Sequence, residues 1–217
     1  MKKVLALVLA LLMAIPAFAF ADVDLAGMTL EDLQALRKQV DAAIASLQVQ
    51  SGEVLTKATR RSPAAVGQTV EITASYLSYY TVTFDITINE VYRGAAYDEL
   101  MKGRYDGPEP QEGNEYVAAK VTVKFVRIDE IDEAKAGTDD PNVSVDAVGN
   151  FESFDENGAE YDNINYSIQD LPELKSLYEG GVTTGYFRFE VRKDDSSPYL
   201  VYEPFMFGDD KVWFSLK

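Results

Sequence analysis

The chain contains no cysteine and no histidine. Without cysteine it has neither a disulfide framework nor the acylated cysteine that anchors bacterial lipoproteins, so the product is expected to be released or held noncovalently. Without histidine, Ser-His-Asp and Cys-His catalysis are excluded, together with zinc or haem ligated by those side chains. Carboxylate chemistry, a Ser-Lys pair, or no chemistry at all remain. Positive charge is scarce too: 20 Lys and Arg stand against 36 Asp and Glu, a net charge of -16 at pH 7. Polyphosphate backbones and anionic membrane surfaces are repelled by such a chain, and no basic run exceeds a pair such as Arg60-Arg61. Nucleic acid is therefore not an expected partner, whereas cations, basic proteins and neutral polysaccharides stay open. A Gly-rich phosphate loop, a βαβ pattern and internal repeats are also lacking.

What is present begins with an address. Lys2 and Lys3 precede the apolar run "VLALVLALLMAI", too short to span a bilayer with any tilt to spare, and "PAFAFA" closes it with small residues. Residues 1–21 read as a secretory signal peptide, with Ala19 and Ala21 placed for cleavage before Asp22 and Ala17 and Ala19 for a cut two residues earlier. Cleavage removes two positive charges and leaves no segment expected to insert in a membrane. A secreted chain without disulfides, behind a short Lys-Lys leader, favours a bacterial source. The 217 residues, 47% of them hydrophobic, suffice for one medium domain with an appendage.

Thr29 followed three residues later by Asp32 matches a capping box at a helix start. Leu33, Leu36, Val40, Ala43 and Leu47 then recur at spacings of three and four, widened by Leu30 and Ile44, and predict an amphipathic helix within 22–50. That stripe could pack on its own domain, pair with a second copy through 29–48, or dock on another protein. It is too short for a sustained coiled coil. "SGEVLTKATRRSPAAVG" follows with mixed polarity, and 51–66 reads as a linker with room for a short strand at Glu53 to Lys57.

From Gly67 the period changes from 3.6 to 2. Val82, Phe84, Ile86 and Ile88 alternate with Thr81, Thr83, Asp85 and Thr87, and Val117, Ala119, Val121, Val123 and Phe125 alternate with Ala118, Lys120, Thr122 and Lys124. The same signature returns in "TTGYFRFEVRK", "PYLVYEPF" and "KVWFSL". A helical turn is expected at Ala95 to Met101, followed by a Gly/Pro loop. Seven or eight short strands with turns between them describe an antiparallel β-sandwich.

In order along the chain, "GNEYVAAKVTVKF", "FESFDENGAEYDN", "YEGGVTTGYFRFEVRKDDSSPYLVYEP" and "KVWFSL" resemble the successive signatures of telokin-like, immunoglobulin-fold extracellular domains of Gram-positive bacteria. The resemblance spans 67–217 and implies an immunoglobulin-like sandwich delivered by a bacterial secretion route, commonly with an N-terminal appendage or anchor. The lipoprotein cysteine usual in that family is missing here. The family has no agreed catalytic motif, so the resemblance implies no catalytic residue and no cofactor. The expected architecture is thus mainly β: an immunoglobulin-like antiparallel β-sandwich over 67–217, preceded by an N-terminal amphipathic α-helix.

Three candidate sites follow. "FESFDENGAEYDN" packs five acids around Asn157-Gly158; counted from Asp155 its glycine arrives at the fourth position, not the sixth that an EF-hand requires, so it reads as a hairpin of type I′. A second acidic stretch, "DEIDEAKAGTDD", carries Asp129, Asp132, Asp139 and Asp140, which are candidate ligands for a structural Ca²⁺, against the alternative of a solvated loop. The third is aromatic. Tyr76, Tyr79, Tyr80, Tyr92, Tyr97 and Tyr105 are dense enough for some to be exposed, and Tyr79, Tyr80, Tyr97 and Tyr105 are the candidate contacts for carbohydrate or peptide. Trp213, in the terminal strand, is expected in the core.

The function expected from these residues is noncatalytic binding or adhesion at the bacterial cell envelope, toward an extracellular protein or a cell-wall glycan. A helix-mediated dimer or assembly component is the alternative, and a carboxylate-based glycan hydrolase comes third because no long connection builds a substrate groove.

Overall fold

A computed structural model describes residues 27–76, 80–104, 107–129, 151–161, 164–165, 167–204 and 211–217. The signal segment expected at 1–21 lies outside them. The chain divides into two compact units, Met1–Asp41 and Ala42–Lys217.

Helix α1 (Leu30–Ser51) starts as its capping box dictates. The Asp32 amide donates to Thr29 Oγ1 at 3.2 Å, while Asp32 Oδ2 accepts from the Thr29 amide at 3.0 Å and from its hydroxyl at 2.7 Å. These bonds from the Thr29 side chain and backbone hold the Asp32 carboxyl below its ordinary pKa. Of the apolar stripe, Leu30, Leu33 and Ile44 are exposed.

The remaining elements are β1 (Val54–Leu55), β2 (Thr69–Tyr76), β3 (Tyr80–Arg93), α2 (Ala95–Met101), β4 (Asn114–Asp129), β5 (Phe151–Phe154), β6 (Glu160–Tyr161), β7 (Ile164–Asn165), β8 (Val182–Arg192), β9 (Tyr199–Tyr202) and β10 (Val212–Ser215). They form a six-stranded sheet, β1-β2-β3-β4-β8-β7, and a four-stranded sheet, β10-β9-β5-β6. The architecture is a mainly β sandwich. All neighbours pair antiparallel except β1 with β2, which is parallel.

Strand β1 of that parallel pair is the short strand for which 51–66 left room at Glu53 to Lys57. Val54 and Leu55 extend the sheet edge along Thr69 and Val70, Ala64 bridges to Phe214, and Ala58 and Ala64 are buried. The Ala64 amide donates to the Trp213 carbonyl at 2.9 Å and the Trp213 amide to the Ala58 carbonyl at 3.2 Å. Segment 58–64 therefore covers the exposed edge of β10, an edge that would otherwise present unpaired backbone groups.

The alternating residues meet between the sheets. Val82, Phe84, Ile86, Ile88, Val117, Ala119, Val121, Val123 and Phe125 are fully buried and join Phe187 and Phe189 with Phe151, Leu200, Tyr202 and Phe214 from the facing sheet. Phe151 stacks on Phe187 and Tyr202 at 4.8 Å each, and Phe84 on Phe125 at 5.2 Å. Each such side chain contributes about 1.5–3 kcal/mol by burial.

Strict alternation breaks twice. The register between β3 and β4 shifts at Asn89 and again at Val126. The bulge at Asn89 changes the parity of β3, so that Val91 packs on the inner core while Tyr92 joins the opposite face. There α2 lies over the six-stranded sheet: Tyr97 and Met101 pack with Ala118 and Ile168, ringed by Tyr92, Tyr116 and Tyr186.

Candidate functional site

Of the acidic candidates only Asp129 lies among the described residues. Asp129 ends β4 and pairs with Arg127 at 2.8 Å, both side chains about half exposed. Asp132, Asp139 and Asp140 lie outside the described residues, and among those described no three acidic side chains converge as a metal site. Of the tyrosine candidates, Tyr79 and Tyr105 lie outside the described residues. Tyr80 opens β3 partly buried against the main core. Tyr97 is a correction: at 5% exposure it is a packing residue of α2, because its ring stacks on Tyr116 at 6.1 Å against the sheet.

The Asn157-Gly158 segment does turn between β5 and β6, but not in the expected way. The Gly158 amide donates to the Asp155 carbonyl at 2.9 Å and the Asp155 amide to the Ala159 carbonyl at 2.8 Å. Gly158 has φ 87° and Asn157 does not share the positive φ that type I′ needs at both central residues. A three-residue loop with glycine in the left-handed position results. Asp155 decides this, since its Oδ1 accepts from the Asn157 amide at 2.9 Å and the Ala159 amide at 2.8 Å while Oδ2 meets Arg192 at 3.2 Å. Burial raises the Asp155 pKa, but the amides of Ala159 and Asn157 and the Arg192 guanidinium outweigh it and leave the carboxyl below its ordinary value. The acid is thus a turn-forming ligand of its own backbone.

An exposed aromatic surface does exist, on residues other than the tyrosines expected. In β10, Val212 and Phe214 point into the core, as does Leu216 just beyond it, which places Trp213 on the outer face rather than in the core. Its ring meets Phe154 of β5 at 5.1 Å and Tyr199 of β9 edge-on at 5.7 Å, all three side chains partly exposed. Beneath them Val201 is fully buried. Along one margin Lys211 bridges Glu203 at 2.8 Å and Glu152 at 3.2 Å. The hydrogen bond to Glu203, and then that to Glu152, hold the lysine above its ordinary pKa against its partial burial. The result is a cluster of three partly exposed aromatic rings edged by charged side chains, on paired strands. Alternation within "KVWFSL" carried the signal, since three apolar partners with period 2 must turn the tryptophan outward.

No known protein-family model matches the chain. No curated protein matches it either. Among solved structures, the chain is similar to MPT63, a secreted protein from Mycobacterium tuberculosis, at 15% identity over 70% of this chain and 97% of that one, with a TM-score of 0.43. It is similar to the YjhA protein of Bacillus subtilis at 13% identity over 70% and 98%, TM-score 0.39. The YcdA protein of the same organism shows 14% identity over 67% of this chain and 37% of its own, TM-score 0.39. Likeness at this level assigns no role. Among the described residues no helix is long and apolar enough to cross a membrane.

Proposed function

We propose that the protein is a secreted, noncatalytic binding module of the bacterial envelope, related to telokin-like immunoglobulin-fold domains, and that it holds neutral cell-wall or extracellular glycan on the outer face of the four-stranded sheet. The observation that carries this reading is the contact of Phe154, Tyr199 and Trp213 on one face, partly exposed. Flat rings present the apolar area that the faces of sugar rings require, at a small cost in side-chain entropy. Glu152, Glu203 and Lys211 at the margin supply acceptors and a donor for hydroxyl groups. The charge of -16 disfavours polyanionic ligands.

Trp213 is the chain's one tryptophan, so its fluorescence reports on this surface directly. Titration with soluble neutral glycans should shift or quench the emission saturably, and Trp213→Ala should abolish retention on the same immobilised glycan. An unaltered emission across neutral glucans, mannans and N-acetylglucosamine oligomers would overturn the reading.

A second reading rests on α1, whose Leu30, Leu33 and Ile44 are exposed on the apolar stripe. It is self-association through that helix. Sedimentation of the chain should then give a mass that falls when Ile44→Glu breaks the stripe; an unchanged mass removes this reading.

A further inference from the structure

A cleft of about 270 Å³ opens where the ends of β4 and β8 approach the β5–β6 turn, on a surface distinct from the aromatic face. At about 30 Å³ per water it has room for several waters or a short alkyl chain. Its walls are held by bonds that do not involve a ligand. Arg93 pairs with Glu115 at 2.8 Å and donates to the carbonyls of Asp195 at 2.6 Å and Arg192 at 3.1 Å, which clamps the turn after β8. Asp195, buried in that turn, accepts from the Tyr161 hydroxyl at 2.7 Å and so fixes the ring that lines the cleft. Burial, reinforced by this bond, pushes the Tyr161 pKa up and keeps the phenol neutral.

The charges lining the space do not balance. Arg192 is already shared between Asp155 at 3.2 Å and Asp194 at 3.3 Å. Glu190 is 5% exposed, and its Oε1 takes the Gln111 amide at 2.6 Å and Asn114 Nδ2 at 3.0 Å. Among the described residues Glu190 forms no ion pair, and the bonds from Gln111 and Asn114 both fall on Oε1, which leaves Oε2 as an acceptor at the cleft. With neutral donors on one oxygen only, the carboxylate keeps acceptor capacity and charge for a cation that enters the cleft. Glu160 lines the same space and adds a further negative charge.

We propose that this cleft binds a primary alkylammonium group, such as a lysine side chain presents, with Glu190 as its counter-ion. Three N–H donors on a compact cation suit Glu190 Oε2 and neighbouring acceptors, and the alkyl stem can lie along the Tyr161 ring. An anion is repelled by Glu190 and Glu160. A hard metal ion wants six to eight oxygens, and among the described residues no three acidic groups converge for one. A guanidinium would need a planar pair of acceptors, whereas Glu190 has one oxygen already committed.

The test uses the full ¹⁵N-labelled chain titrated with n-butylammonium chloride, beside n-butanol at matched ionic strength. The ammonium should give saturable shifts at Gln111, Asn114 and Ala159 with a dissociation constant of about millimolar order, and the alcohol should not. Glu190→Gln keeps Oε1 for Gln111 and Asn114 and should weaken binding at least about tenfold, with Glu160→Gln weakening it about two- to threefold. Equal responses to ammonium and alcohol, absence of saturable shifts, or unchanged affinity in a folded Glu190→Gln would each overturn the proposal. The ammonium-against-alcohol comparison needs no variant, so it decides even if Glu190→Gln does not fold.

Discussion

The outer faces of the two sheets are both rich in aromatic residues, yet they have opposite fates. On the six-stranded sheet, Tyr92, Tyr116 and Tyr186 surround Ala118 beneath α2, whose Tyr97 and Met101 are buried against them. On the four-stranded sheet, Phe154, Tyr199 and Trp213 cover Val201 but remain partly exposed themselves. One aromatic face has become a second core; the other is left as a platform. Aromatic density therefore marks a surface to be covered or used, and the helix that lands on it decides which.

This contrast can be broken by experiment, beginning with the lidded face. Tyr97→Ala removes a buried ring between α2 and the sheet and should cost about 3 kcal/mol, read as a lower denaturation midpoint, while any glycan response of Trp213 stays intact. Loss of the glycan response with that variant would mean that the two faces are not independent.

The turn beside the platform comes next. Asp155→Ala strips two amides and Arg192 of their acceptor and should cost about 1.5–3 kcal/mol. The sign of its pH dependence follows from a folded pKa below the unfolded value of about 3.9. Its stabilising contribution is present in full above that unfolded pKa and is lost as pH falls through the folded one. Wild type should thus lose stability on acidification below about pH 4 more steeply than Asp155→Asn, by denaturation at matched pH.

On the open face, Trp213→Ala should cost only about 1–1.5 kcal/mol, since the ring is partly exposed, yet remove retention on neutral glycan. A stability loss matching that of Tyr97→Ala would show the ring to be structural and the contrast false. The smallest effect belongs to the margin. Lys211→Gln breaks ion pairs with Glu203 and Glu152 and should cost less than about 1 kcal/mol, falling further in high salt, measured by thermal melts at two ionic strengths.

Features encoded within a few residues were legible beforehand. The Thr29–Asp32 capping box forms as written, and the alternation of Val82 through Ile88 buries all four residues. Asn157-Gly158 was legible as a turn, but not its type, because the Asp155 carboxylate chose the loop by bonding to two amides. The aromatic site was legible only in kind. Tyr97 and Trp213 exchange the places expected of them, since α2 presses the one against the six-stranded sheet and alternation in β10 exposes the other.

The sequence by itself determined the elements: where helix α1 starts, which residues share a face wherever a strand alternates without a bulge, that the molecule is a β-sandwich, and that the chain holds no histidine or cysteine. These depend on local backbone preference and on periods of 3.6 and 2, which any short window carries. Tertiary structure alone decided that 58–64 runs along β10, that the Asn89 bulge sends Tyr92 outward, and that Phe154, Tyr199 and Trp213 meet. Glu190 was likewise brought to its neutral donors, 79 and 76 residues back along the chain, only by folding. Such contacts depend on register and on what packs over a face, and neither quantity is written in the spacing of nearby residues.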